Sequence, residues 1–457
     1  MIFCFQYIIN QYICSNITKE TIMERLLIED LKRWKTAINR KPLILQGARQ
    51  VGKTWLLKEF GKRCFDDVCY INFEEATPLK ETFDGSISSK RILEKLSAYH
   101  GKKIEPQHTL IIFDEVQEMP RAITSLKYFA EESPEYAICC AGSLLGIALH
   151  AGTSFPVGKV DFLTLRPLSF HEFLIANGKE LIANMILDGS AELPEFREML
   201  TDLLKNYFVV GGMPAVVEAW MNNHDYQEVE RIQADIIRTY DNDFSKHAPK
   251  PMAAKIRYVW NSIPSQLAKE NKKFVYGLVR EGARAREYED AIMWLSDAGM
   301  IHQTFRVKKP DIPIKAYTDL QSFKIFMLDV GLLRAASGVS PKTIIEGNRI
   351  FEEFKGAMTE QYVLQELMQI KGWNGEYYWA SESKAEVDFL ITDGYEVYPL
   401  EVKAGMNVKA RSLMTYMDKY APKKAFRTSM LPYSHNGSLT NLPLYMLFAF
   451  RQLGLEK

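Results

Sequence analysis

The sequence predicts an α/β chain of several units, and three observations carry the prediction. Short apolar runs alternate with helical periods from residue 41 to about residue 175. Between one such run, Pro42-Leu43-Ile44-Leu45-Gln46, and a helical pattern from Trp55 lies Gly47-Ala48-Arg49-Gln50-Val51-Gly52-Lys53-Thr54, which fits G-x-x-x-x-G-K-[ST] in full. A second alternation of strands and helices fills residues 346–457.

Composition sets the frame. A chain of 457 residues is expected to hold about two to four domains. With 47% hydrophobic and 25% charged residues it has the balance of a globular protein, not of a disordered one. Lys+Arg and Asp+Glu are 57 each, which argues against a nucleic-acid coat but leaves room for a local basic face. The cysteines at 4, 14, 64, 69, 139 and 140 form no C-x-x-C pair, so zinc is not expected. They fit reduced thiols and a cytoplasmic setting.

The N-terminal extension, 1–23, is apolar and aromatic up to Ile13, without a basic flank or a small-residue cleavage site. It is too short to span a bilayer, so no stable membrane insertion is expected. Met23 precedes an amphipathic helix from Glu24, and the expected start is Met23; a membrane-tethering segment is the minority alternative.

Residues 24–175 form the expected nucleotide domain. A lead-in helix over 24–40 is followed by the strand, glycine loop and helix around Gly47–Thr54. Glycines let backbone N–H groups converge on a phosphate, and the helix N-terminus adds positive potential. Lys53 would reach the β- and γ-phosphates, and Thr54 would ligate Mg²⁺. Thr109-Leu110-Ile111-Ile112-Phe113-Asp114-Glu115 reads as a strand buried on both faces. Its two carboxylates fall at the carboxyl end, where ligands of such sheets sit. Asp114 would hold the Mg²⁺ and Glu115 would polarise the attacking water. Tyr136-Ala137-Ile138-Cys139-Cys140-Ala141-Gly142-Ser143 is another strand pattern, and Ser143, just past its end, reads equally as a γ-phosphate contact or as a helix cap. Residues 155–165 read as a further strand, ending at Arg166-Pro167-Leu168-Ser169-Phe170, with a helix from near Ser169. Arg166 would either offset charge at a nucleotide or, slightly favoured, form a salt bridge that fixes a lid.

Residues 176–249 are helical by period and broken at Gly211-Gly212-Met213-Pro214, as in a lid with a hinge. Residues 250–345 carry a helix-turn-helix pattern. It has a short helix at Ser265–Glu270, a longer one from Glu287 to the glycine stop near Gly299, and a wing strand around Ile301 and Phe305-Arg306-Val307. Arg280, Arg284 and Arg286 would contact phosphate backbones, or the helices are packing modules only. In residues 346–457, Glu386 to Thr392 and Tyr395 to Lys403 read as a hairpin closed by Asp393-Gly394. Glu401 and Lys403 share one strand face, Asp388 lies on the paired strand, and Glu360 sits on the inner edge of a helix. Glu360, Asp388, Glu401 and Lys403 have the chemistry of a Mg²⁺-dependent phosphodiesterase: carboxylates for metal and a lysine beside the scissile phosphate.

The order of these motifs resembles the bacterial and archaeal AAA+-type P-loop ATPases that carry a C-terminal restriction-endonuclease-like domain. The resemblance rests on Gly47–Thr54, Ile112-Phe113-Asp114-Glu115-Val116-Gln117, Ala141-Gly142-Ser143, Arg166 to Phe173, Gly211-Gly212-Met213-Pro214, Glu386-Val387-Asp388 and Glu401-Val402-Lys403. It covers about residues 24–450. It implies a P-loop NTPase sheet with a helical lid, a winged-helix-like middle and a nuclease-like α/β end. It also implies ATP and Mg²⁺ as cofactors and Ser143 as a sensor. The function expected is a nucleotide switch coupled to nucleic acid, with ATP, DNA and protein partners or self-assembly as its interactions. The alternative is an ATP-dependent regulatory or scaffold protein whose nuclease-like domain is inactive and binds protein.

Overall fold

The computed structural model describes residues 23–75, 79–83, 87–143, 155–189, 194–269, 272–347, 352–373, 375–382, 385–405 and 411–455. The extension before Met23, with Cys4 and Cys14, lies outside them.

Five strands build the first sheet: β1 (Leu43–Gln46), β2 (Asp67–Asn72), β3 (Thr109–Asp114), β4 (Ala137–Ala141) and β5 (Asp161–Thr164). All pairings are parallel, in the order β2-β3-β4-β1-β5. Period-two alternation explains the central strands. Leu43, Leu45, Leu110, Ile112 and Cys139 enter one apolar cluster, while Ile44, Ile111, Phe113, Ile138 and Cys140 enter another on the opposite face. Cys69, Cys139 and Cys140 are free thiols buried in these strands. Residue 155 onward is strand only at Asp161–Thr164.

Helices follow. Ser169 caps Phe170–Ala176: its Oγ accepts from Glu172 N–H at 3.1 Å, and Glu172 Oε2 accepts from Ser169 N–H at 3.0 Å. The stretch expected as a short helix from Ser265 is instead the end of a long helix, Lys250–Leu267. Pro264 lies inside it, where proline removes one backbone N–H donor.

The second sheet holds eight strands: β6 (Ile301–Val307), β7 (Thr318–Met327), β8 (Tyr377–Ala380), β9 (Glu386–Thr392), β10 (Val397–Val402), β11 (Ala425–Ser429), β12 (Ser434–Asn436) and β13 (Leu439–Pro443). Their order is β12-β13-β11-β10-β9-β8-β6-β7. The strand β6, expected as a wing, pairs with β7 and continues the C-terminal sheet: β6 runs parallel to β8, from Phe305 opposite Tyr377 to Val307 opposite Trp379. Strands on either side of residue 345 therefore lie in one sheet. The β9–β10 hairpin forms as its turn residues dictate, with Asp393 Oδ1 accepting from Tyr395 and Glu396 N–H at 2.9 Å each.

One continuous apolar cluster includes residues of both sheets and of the helices between them, among them Leu45, Val210, Leu333, Leu364 and Leu400. Two short segments join the halves. At Gly211, φ is +73°, and an added Cβ would stand 2.2 Å from Asp329 Oδ1. Gly212 N–H donates to Asp329 Oδ2 at 2.6 Å, and Leu168 N–H donates to Gly212 O at 2.7 Å. Asp329 also caps helix Val330–Ala336 through Leu332 N–H at 2.9 Å. From the other side, Gln369 Nε2 donates to Pro167 O at 2.8 Å, and Phe170 N–H donates to Glu366 Oε1 at 2.7 Å.

Candidate functional site

The loop Gly47–Gly52 turns from β1 into helix Lys53–Cys64. It needs left-handed or unusual backbone at Gly47 (φ +147°), Gln50 (φ +66°) and Gly52 (φ +93°). A Cβ at Gly47 would stand 2.2 Å from Leu165 O, so only glycine fits. Lys53 Nζ curls back and donates to Gly47 O and Ala48 O at 2.8 Å each. Burial pulls the Lys53 ammonium down to about 8, against the opposite pull of Glu115 and Asp114.

Beside it, Thr54 Oγ1 donates to Asp114 Oδ2 at 2.7 Å, and Tyr70 OH donates to the same oxygen at 2.9 Å. A hydroxyl against a carboxylate at the mouth of the loop is a hard-oxygen donor set, which fits Mg²⁺. Glu115 follows β3 with φ +48°. Its Oε2 accepts from Gln117 Nε2 at 2.6 Å and from Ser143 Oγ at 3.2 Å. Arg25, Lys53, Thr54, Glu115, Ser143 and Pro214 share the lining of one cavity of about 920 Å³, the size of a small-molecule or cofactor site.

Arg49 is tied down from outside the loop: its guanidinium pairs with Asp243, and its carbonyl accepts from Tyr240 OH at 2.8 Å. Arg166 is not among the residues lining the cavity. Its side chain is partly buried and is pulled down to about 10 by that burial. It acts on His302, whose imidazole is driven to about 3 by burial first and by Arg166 second. The Arg166 carbonyl accepts from Arg25 Nη2 at 2.5 Å. Arg25 is a residue that motif reading missed: it also donates to Val51 O at 2.9 Å and to Glu172 Oε1 at 3.1 Å, fixing the lead-in helix against the phosphate loop. Its only sequence signal was a charge at the first turn of an amphipathic helix.

The four C-terminal residues converge. Glu360 is on helix Glu352–Leu367, Asp388 on β9 and Glu401 on β10, and all are buried or nearly so. Lys403 Nζ lies 2.6 Å from Glu401 Oε1, and Asp388 Oδ2 accepts from Val402 N–H at 2.8 Å. Two lysines that were not foreseen join them. Lys272 pairs with Glu360. Lys324 of β7 points its ammonium to Glu386 Oε1 at 2.6 Å, Glu360 Oε2 at 3.6 Å and Asp388 Oδ1 at 3.9 Å. Burial opposes ionisation of Glu360, but Lys272 and Lys324 outweigh it and hold the carboxyl to about 2. Burial, then Glu360 and Glu401, push Asp388 well above the usual carboxylate range. Among the described residues, no group of three or more His, Cys, Asp or Glu side chains is arranged to hold a metal ion. Of the set expected to ligate metal, Glu360 and Asp388 face the Lys324 ammonium and Glu401 pairs with Lys403, so these residues do not fit that role as they stand. The available signal was Lys324 itself, a charge inside the apolar run Phe323 to Leu328.

Comparison with known proteins matches this layout. Residues 39–174 match the family model described as an AAA domain. With the parallel sheet and the phosphate loop, this defines a P-loop ATPase-type domain. Residues 201–343 and 355–445 match two domains of unknown function, DUF8612 and DUF4143. The chain is 24% identical over 380 residues to the uncharacterized proteins Rv2008c of Mycobacterium tuberculosis and Mb2031c of Mycobacterium bovis, covering 81% of this chain and 72% of theirs. Among solved structures it is similar to the Walker-type ATPase PABY2304 of Pyrococcus abyssi, at 15% identity and a TM-score of 0.44 over 70% of this chain and 97% of that one. It is also similar to AMPPCP-bound DnaA from Aquifex aeolicus, at 16% identity and a TM-score of 0.29 over 60% and 88%. No helix among the described residues is long and apolar enough to cross a membrane.

Proposed function

We propose that the chain is a Mg²⁺-dependent ATPase that works as a nucleotide switch, coupled through its C-terminal half to nucleic acid. The observation that carries this reading is the meeting of Lys53, Thr54, Glu115 and Ser143 in one cavity whose far wall includes Pro214 and Glu218. The loop N–H groups and Lys53 bind the β- and γ-phosphates, which relieve Lys53 of its contacts with the loop carbonyls. Thr54 and Asp114 would hold Mg²⁺, which when bound offsets phosphate charge. Glu115 orients the attacking water and accepts its proton; Ser143 holds the Glu115 carboxylate until then. Adenine is favoured by the AAA-type match and because the sequence has no N-K-x-D guanine-reading motif.

The switch reading is supported by the tie between the cavity wall and the rest of the chain. Pro214 begins helix Pro214–Asn223, two residues after Gly212, whose N–H donates to Asp329. A change in cavity width on nucleotide binding is therefore transmitted to β7 and to helix Glu352–Leu367. Coupling to nucleic acid is supported by Arg280, Arg284 and Arg286, all exposed at the entry to helix Ala285–Asp297. A winged-helix-like role for residues 250–345 is supported by the two long helices Lys250–Leu267 and Ala285–Asp297 alone, since β6 and β7 belong to the C-terminal sheet.

A second reading, a regulatory protein whose nuclease-like end binds protein without cutting, is favoured by one observation: Lys324 lies among the carboxylates a metal would need. Hydrolysis measured with and without duplex and single-stranded DNA separates the two. Stimulation that weakens steeply with salt supports the first reading. Indifference to DNA at all salt concentrations supports the second.

A further inference from the structure

We infer that the acidic cluster of the second sheet is closed around an internal cation, the ammonium of Lys324, and takes up no divalent metal ion. Lys324 belongs to β7, the edge strand contributed by the segment before residue 345, while its partners come from the segment after it. Its side chain is 1% exposed, and its Nζ lies within 4 Å of Glu386, Glu360 and Asp388. The Tyr378 ring covers it from another side, 4.9 Å from ring centre to Nζ. Three carboxylates and one aromatic face thus surround the ammonium at the place where a metal ion would have to sit.

Charge leads to the same conclusion. Lys272, Lys324 and Lys403 stand against Glu360, Glu386, Asp388 and Glu401, three ammonium groups against four carboxyl groups, which leaves at most a single net negative charge. A divalent cation added to this cluster would overcompensate it in a buried place, where unbalanced charge is costly. The cluster is then a clasp. It fastens β7 to β9 and to helix Glu352–Leu367, and so joins the two segments that build the sheet. A residue set that resembles a phosphodiesterase by spacing is filled, in three dimensions, by a lysine from another part of the chain. This inference does not depend on the ATPase reading, and absence of ATP hydrolysis would leave it untouched.

The test uses the full, nucleotide-free chain. Free Mn²⁺ is followed by electron paramagnetic resonance during titration into wild type and Glu401→Gln. The expected result is identical titrations, because no uptake depends on Glu401, together with the same thermal midpoint in Mg²⁺ and in chelator. One equivalent of Mn²⁺ bound by wild type and lost in Glu401→Gln would overturn the inference. The clasp is read separately from thermal midpoints of Lys324→Met and Glu386→Gln. Both should fall by several degrees, Lys324→Met by more; unchanged midpoints in both would overturn it.

Discussion

Glu366 lies on helix Glu352–Leu367 with no exposed surface; one oxygen accepts from Phe170 N–H and the other has no hydrogen-bond partner. Burial pushes its carboxyl up to about 8. Between the ordinary value of 4.5 and that value, the folded state keeps a proton that the unfolded chain releases. Stability must therefore fall as pH rises through this window. Glu366→Gln keeps the acceptor for Phe170 and removes the titration. It should stabilise the protein by on the order of 2 kcal/mol at pH 8, flattening the unfolding midpoint between pH 5 and pH 8. A variant that loses stability at every pH would contradict the assignment. In the phosphate loop, Glu115→Gln should keep nucleotide binding and lower turnover by about 100-fold or more, because only the group that takes the proton is removed. These residues differ in how readable they were. Lys53, Thr54 and Asp114 are fixed by a local pattern, since loop, helix start and strand end follow each other along the chain. Arg25, Lys272, Lys324 and Asp329 act across long sequence distances, and nothing in their neighbours along the chain names their partners.

Among the elements, the glycine turn at Gly211–Gly212 is one that both halves of the molecule hold. Asp329→Ala leaves Gly212 N–H and Leu332 N–H without their acceptor in a buried place. It should cost about 3 kcal/mol by denaturant unfolding. Gly211→Ala should destabilise as well, since φ is +73° there and the new methyl would overlap Asp329. The β9–β10 hairpin was legible because its Asp393-Gly394 turn and its alternation are local. The placement of β6 beside β8 was not. That pairing spans some seventy residues, and a strand with apolar side chains on its own pleat looks the same whether it forms a wing or joins a sheet. The short helix expected at Ser265–Glu270 is the end of a longer one for a related reason. Proline lowers local helix propensity, but the packing of Val259, Ile263 and Leu267 in the core holds the long helix through it.

At the scale of the whole molecule, both sheets share one apolar cluster, so they should unfold together and not as separate units. ATP with Mg²⁺ should then raise one common midpoint, by about 2.7 kcal/mol of added stability when ligand stands at 100 times its Kd. Calorimetry showing two transitions, only one of them moved by ATP, would contradict a shared core that carries the nucleotide signal. The measurement that tests the central claim most directly is steady-state release of phosphate from ATP by wild type and Lys53→Ala, each with and without Mg²⁺. Turnover in wild type should require Mg²⁺ and be lost in Lys53→Ala. Equal turnover in the two proteins, or none in wild type, would contradict the claim.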